Sequence, residues 1–420
     1  MINAPRGVED LLHPKSFYYA QIEKEARDFF SLYGYEEIRI PTFERTELFL
    51  RSVGEETDVG KQMYTFKDRG GRSISLRPEG TAGVARAYVE HKLYGSKKEW
   101  KVYYMGPMFR YEKPQMGRLR EFYQIGVECF GEKSPWLDVE IIEMAYRFLS
   151  RVRLTDMEVQ INSIGCKDCR GRYVKVLKDY LKDYLDSLCG VCKRRYHYNV
   201  LRVLDCKNPT CRSFIEKAPQ IKDYLCSSCE EHFNYVKKGL ENLKIKYTIN
   251  PYLVRGLDYY TRTIFEIISP HLGAQSTVCA GGRYDDLVSQ IGGPSTPAMG
   301  FAIGLERLVM GLKKEGVSLK TPSQLTFFIA MLDQRYMEKG MQVASLIRST
   351  GAGASVSFKE SSLSSQLRQA NKKNFSWVII IGEEEIQKKK FLFRNMRSGK
   401  QYEVSTNSIE EFIKNLKGVS

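Results

Sequence analysis

Apolar residues at close to helical spacing, Phe17, Ile22, Ala26, Phe29, Phe30 and Tyr33, predict an amphipathic helix over 15–33, with Gly34 at the C-cap. A short strand, Glu36 to Ile40, follows and is stopped by Pro41, which cannot donate to a ladder. Residues 101–111 and 120–130 pattern as two antiparallel strands, with Val102, Tyr104 and Met105 before the turn and Phe122, Ile125 and Val127 after it. The loop between them, Glu112 to Leu119, carries Lys113, Pro114, Gln115, Gly117 and Arg118. Such a basic tip suits contact with nucleic acid, and a plain surface hairpin is the alternative.

Strand-like sequence resumes at Ile245 to Val254, Thr263 to Ile268 and Thr277 to Ala280, then glycines 281, 282, 292, 293, 300 and 304 punctuate a close-packed sheet. A polar stretch from Gly316 to Ser323, with Pro322, reads as a linker. Beyond it the pattern alternates: strand 326–331, helix 335–348, strand 353–358, helix 362–373, strand 377–381, a hairpin from Phe391 to Val404 and a helix over 408–417. That is a small α/β domain.

Composition narrows the class. The 420 residues exceed one core, so two or three domains are expected. No apolar run approaches the roughly 20 residues of a membrane span, and the first ten residues lack a signal-peptide layout, so the expected location is the cytoplasm. A net charge of +15 favours a polyanionic partner.

The chemistry concentrates in four strings: Arg77-Pro78-Glu79-Gly80-Thr81, Gly106 to Glu112, Leu253 to Thr261 and Gly300 to Leu308. In Leu253-Val254-Arg255-Gly256-Leu257-Asp258-Tyr259-Tyr260 a strand runs into an arginine able to clamp an anion, a glycine permitting close approach and two tyrosines forming flat walls. Each of Arg110, Arg255 and Arg307 alone reads as a structural ion pair. Three together fit a phosphate site.

In order and content these strings resemble histidyl-tRNA synthetase, a class II aminoacyl-tRNA synthetase, nearly end to end. The resemblance implies an α+β chain: an antiparallel-sheet catalytic domain with a helical cysteine-rich insertion, then a C-terminal α/β anticodon-binding domain. The corresponding boundaries are 1–160, 161–243, 244–318 and 325–420. The implied reaction joins L-histidine to ATP with Mg²⁺, then passes the histidyl group to histidine tRNA, in a homodimer. By resemblance, Arg110 faces the α-phosphate and Arg307 the γ-phosphate, Arg118 adds a triphosphate contact, Phe122 and Arg307 sandwich the adenine, and Glu112 holds its amino group. Arg255 faces the α-phosphate and the histidine carboxylate. Glu79, Thr81 and Gln124 receive the α-ammonium, Glu128 and Tyr260 the imidazole, and Gly80 and Tyr259 complete the amino-acid pocket. Lys113 and Gln115 correspond to contacts with the tRNA acceptor end. In the anticodon domain, Ser364 and Ser365 stand where bacterial relatives usually carry lysines, which takes two cations from the helix that the resemblance turns toward RNA and leaves Arg368, Lys372 and Lys373 nearby. Two rivals remain: a non-catalytic synthetase-like regulatory subunit, which usually lacks the arginine-bearing segment, and a zinc-stabilised RNA-binding module, which leaves the three arginines unexplained.

Eight of the ten cysteines form four pairs: Cys166 with Cys169, Cys189 with Cys192, Cys206 with Cys211, and Cys226 with Cys229. In a reducing compartment paired thiols point to structural zinc, while buried free cysteine is the alternative. Which pairs share a metal is not fixed by spacing, and His232 is a spare ligand candidate. Because the four strings lie outside 166–229, a metal there is expected to serve stability and tRNA grip, not the chemistry.

Overall fold

A computed structural model describes residues 2–54, 57, 59–257, 259–317, 325–358 and 361–418. Asp258 and the expected linker residues 318–323, with Pro322, lie outside the described residues. The chain divides into two compact units, Met1–Leu319 and Lys320–Ser420.

The first unit is built on an eight-stranded sheet, ordered Glu36–Glu37, Trp100–Phe109, Glu121–Phe130, Ala298–Gly304, Thr277–Arg283, Thr261–Ile268, Glu158–Ser163 and Tyr247–Ile249. The two outermost pairings are parallel and all the inner ones antiparallel. Side chains alternate across a strand, so Glu121–Phe130 divides cleanly. Ile125, Val127 and Cys129 join the core under the helices Lys15–Ser31 and Pro135–Arg151. Phe122, Gln124 and Glu128 point the other way and line a cavity. Gly126 and Gly80 make room there for the Tyr104 ring, which a Cβ at either would strike.

Two expected strands are shorter than their patterns suggest. The ladder at Glu36 ends at Glu37; beyond it Ile38 keeps one bond to the Tyr103 carbonyl, while Arg77 takes the carbonyls of Ile40 and Pro41 and draws the chain off the sheet. Pairing in 245–254 covers only Tyr247–Ile249. Pro251 has no N–H to give, and the Asn250 side chain accepts from the Tyr252 amide, so Leu253 to Arg255 is loop.

The insertion is four helices, Lys167–Lys182, Gly190–Tyr198, Pro209–Ile215 and Ser227–Asn242, joined by 3₁₀ turns. The second unit has a five-stranded sheet ordered Gly353–Val356, Thr326–Met331, Trp377–Ile381, Lys390–Asn395 and Gln401–Ser405, the first three parallel. Its helix Leu363–Lys372 is capped by Ser362, which accepts from the Ser365 amide, and is fixed by buried Gln366, which bonds both the amide and the carbonyl of Met331.

Candidate active site

A cavity of about 620 Å³ opens over the polar face of the large sheet. Arg110, Arg255 and Arg307 all line it, with Glu79, Thr81, Glu112, Arg118, Phe122, Gln124, Glu128, Tyr259 and Tyr260. Gly80 sits beneath, against Tyr104. Lys113 and Gln115 stay outside it, exposed on the hairpin loop.

Each arginine is anchored by one edge. Arg110 Nε donates to the Pro78 carbonyl at 2.8 Å, and its guanidinium lies 5.2 Å from the Phe122 ring centre. Arg307, in the first turn of the helix Leu305–Lys314, donates to the Thr277 carbonyl at 2.9 Å. Arg255 pairs with Glu266, which also accepts from Thr277 Oγ1 at 2.9 Å. Burial lowers the pKa of Arg110 and Arg307, and neighbouring Arg118 lowers that of Arg307 further. Burial alone would lower that of Arg255 too, but Glu266 and Tyr260 hold it above its usual value. Such packed cations call for an anion, because like charges held out of water repel strongly.

The acidic end is equally built. Glu79 accepts from the amides of Thr81 at 2.7 Å and Ala82 at 2.9 Å, capping the helix Thr81–Glu90. A carboxylate has about four acceptor positions, so Glu79 can still receive an ammonium group. Glu128, fully buried, accepts from Thr81 Oγ1 at 2.6 Å and from the Tyr284 hydroxyl. Burial pushes its pKa up to about 8; Glu79 adds to the rise, and the two hydroxyls oppose it. Gly300 lies against this carboxylate, leaving no space for a Cβ. Among the described residues Gln124 Oε1 and Arg255 Nε are buried without a hydrogen bond, and both line the cavity. Buried polar atoms left open in this way suit a polar guest.

Tyr284 and Glu266 escaped the sequence reading, and Arg77, though it opens the first of the four strings, was given no role there. Glu266 was detectable as an acid inside the apolar run Thr263–Ile268, and Tyr284 as an aromatic closing the Gly281–Gly282 strand. Arg77 buttresses the site, donating to the Pro107 and Ile40 carbonyls at 2.8 and 2.7 Å.

The insertion departs from its expected isolation: Arg202, Asp205, Cys206, Lys207 and Arg212 also line the cavity. Its cysteines gather as Cys166, Cys169, Cys226 and Cys229, and as Cys189, Cys192, Cys206 and Cys211, with the sulfurs of each group within 4.8 Å of one another. His232 is not among them; its Nε2 lies 2.7 Å from buried Asp138, which also pairs with Arg283, so it serves the core.

A mainly antiparallel sheet presenting three arginines over one cavity, followed by a separate five-stranded α/β unit, defines a class II aminoacyl-tRNA synthetase. The sequence model described as Histidyl-tRNA synthetase matches residues 7–168 and 210–308, and that described as Anticodon binding domain matches 326–416. The chain is 48% identical over 415 residues to a histidine–tRNA ligase of Halothermothrix orenii, covering 98% of this chain and 99% of that one. It is 48% identical over 416 residues to another from Caldanaerobacter subterraneus, covering 99% and 100%. The crystal structure of apo S. aureus histidyl-tRNA synthetase superimposes with a TM-score of 0.84 at 35% identity, covering 99% of this chain and 100% of that one. The chain belongs to the histidyl-tRNA synthetase family. The segment 169–209, with Cys169, Cys189, Cys192 and Cys206, falls outside the matched stretches.

Proposed function

We propose that the cavity over the sheet is where this histidine–tRNA ligase condenses L-histidine with ATP before passing the histidyl group to the 3′ end of histidine tRNA. The observation that carries the site assignment is the convergence of three anchored guanidinium groups and two open polar atoms on one cavity.

Arg110 and Arg255 receive the α-phosphate and the attacking carboxylate, Arg307 the γ-phosphate, with Arg118 at the rim. Adenine lies on Phe122 against Arg307, its amino group toward Glu112. Glu79, Thr81 and Gln124 hold the α-ammonium. Glu128 and Tyr260 meet the two ring nitrogens, and Tyr259 and Gly80 shape the pocket wall. The carboxylate then attacks phosphorus, and pyrophosphate leaves as the arginines neutralise charge crowding on the phosphoryl oxygens. Mg²⁺ enters with the triphosphate as part of that substrate. Another amino acid would leave the ring-facing positions of Glu128 and Tyr260 buried and unmet, which gives specificity.

Lys113 and Gln115, exposed on the hairpin loop, are read as contacts to the tRNA acceptor end. Homodimerisation belongs to the same proposal, supported by the exposed rings of Phe43 and Phe66 on the small three-stranded sheet. So does a cytoplasmic location, supported by ten cysteines held out of disulfides. No helix among the described residues is long and apolar enough to cross a membrane.

Each four-cysteine group is read as a structural zinc site. A tetrahedron of Zn–S bonds near 2.3 Å has edges of about 3.8 Å, and Cys189 and Cys206 stand 3.9 Å apart, Cys166 and Cys169 3.5 Å. Backbone amides already donate to these sulfurs: Cys226 to Cys169 at 3.0 Å, Cys166 to Cys229 at 3.3 Å and Cys189 to Cys211 at 3.2 Å. Zinc would supply a crosslink between segments with little core of their own.

The test is Arg255→Ala. Histidine-dependent ATP–pyrophosphate exchange should fall by at least about 10²–10³-fold, the loss typical of one preorganised transition-state group, while histidine binding by calorimetry persists. Near-normal exchange in a folded variant would overturn the assignment.

A further inference from the structure

The two cysteine groups occupy different places. Cys166, Cys169, Cys226 and Cys229 join the points where the chain enters and leaves the insertion, and none of the four lines the cavity. Cys189, Cys192, Cys206 and Cys211 sit farther in, where Cys206 itself lines the cavity.

This second group brackets a short segment that touches the catalytic loop. Cys189 and Cys192 stand at the start of the helix Gly190–Tyr198, Cys206 just after the 3₁₀ turn Val200–Val203, and Cys211 within the helix Pro209–Ile215. All three elements are too short to persist alone. From the 3₁₀ turn, Arg202 lies over the backbone of Gly256: a Cβ there would come within 2.8 Å of its Nη1. Arg202 is held in turn by Asp205 at 3.6 Å, and its carbonyl accepts from Arg195 at 3.0 Å. From the next helix, Arg212 stacks 4.6 Å from the centre of the Tyr252 ring, and the Tyr252 hydroxyl donates to the Glu216 carbonyl at 3.1 Å. Tyr252 and Gly256 flank the loop that carries Arg255, which has no strand pairing of its own.

We propose that Cys189, Cys192, Cys206 and Cys211 form a zinc site that positions the catalytic loop, seating Arg202 on Gly256 and Arg212 on Tyr252 so that Arg255 faces the reacting phosphate. The inference rests on the ligase reading of the cavity and gives this metal a part in the chemistry. Losing the metal frees the segment from Val200 to Ile215, which carries Cys206 and Cys211, and with it both props of the loop. A displacement of about 1 Å at a reacting group can cost up to 10²-fold in rate. Because Arg255 acts on the transition state, the loss falls on kcat more than on the KM for ATP.

The test combines zinc content with exchange kinetics on the full chain. Wild type purified without chelator should carry two zinc ions, one per four-cysteine group. C206S/C211S should carry one, with kcat for histidine-dependent exchange reduced about ten- to a hundredfold and the KM for ATP changed by less than about threefold. Arg202→Ala should keep both zinc ions and show the same kinetic split, with Arg202→Lys recovering part of it. Metal-free wild type would overturn the metal, and full kcat in Arg202→Ala or in one-zinc C206S/C211S would overturn the coupling. If C206S/C211S does not fold, wild-type zinc content and Arg202→Ala decide the two parts separately. Wild type without histidine-dependent exchange would count against the ligase reading, since zinc content is read independently.

Discussion

Replacing Glu128 by Gln tests the buried end of the pocket through stability and binding together. Glu128 is 1% exposed, and its pKa stands near 8 against a usual 4.5. Below pH 4.5 the carboxyl is protonated in both folded and unfolded chains and costs nothing. Between pH 4.5 and 8 the unfolded chain releases the proton and the folded one keeps it, so stability falls as pH rises, and the full penalty is present above pH 8. The difference corresponds to roughly 5 kcal/mol. Gln keeps the shape, with an oxygen to accept from one of the Thr81 and Tyr284 hydroxyls and an amide to donate to the other, and it does not titrate. For a unit of 319 residues that energy is worth roughly 7 °C. Thermal unfolding of E128Q and wild type should therefore coincide near pH 5 and diverge to about that margin in favour of E128Q near pH 9. At pH 9, where Glu128 carries its charge, the same variant should lose histidine affinity by about 10- to 150-fold, the cost of one hydrogen bond to a charged group. A Tm difference that does not change with pH, or histidine binding left intact, would refute the reasoning.

Other expectations follow from neighbouring features. Replacing Lys113 and Gln115 by Ala should slow histidyl transfer to tRNA far more than pyrophosphate exchange, and equal losses would show that the loop serves ATP or folding. Gly300→Ala, which forces a methyl group against Glu128, should destabilise the first unit by about 1–3 kcal/mol in urea unfolding; an unchanged midpoint would mean that the strand yields. Cys169→Ser should drop zinc content by one ion and lower the thermal midpoint, because it opens the crosslink between the ends of the insertion. Unchanged zinc would make those four cysteines packing residues.

The parts of the site legible in the sequence were those with local signatures. Alternation in Glu121–Phe130 separates Gln124 and Glu128 from Ile125 and Val127, although it cannot say which face is the ligand's. Arg255 and Arg307 stand inside strings whose composition is unusual for packing. Their partners are set by register across the sheet. Tyr284 reaches Glu128 from 156 residues away, and Arg77 supports Pro107 through a side-chain fork that no periodicity announces. The same holds for the insertion. Spacing gave four cysteine pairs, but their union into two groups depends on how four helices fold back, and so does the seating of Arg202 on Gly256. The strand expected to run through Leu253 and Val254 failed for a local reason, since Pro251 and Asn250 turn the chain before it can pair.

The most direct test of the central claim is isotope exchange between pyrophosphate and ATP by the purified full-length chain, with each amino acid offered alone. The account predicts exchange that requires histidine and is negligible with the others. No exchange with histidine, or equal exchange with another amino acid, would contradict it.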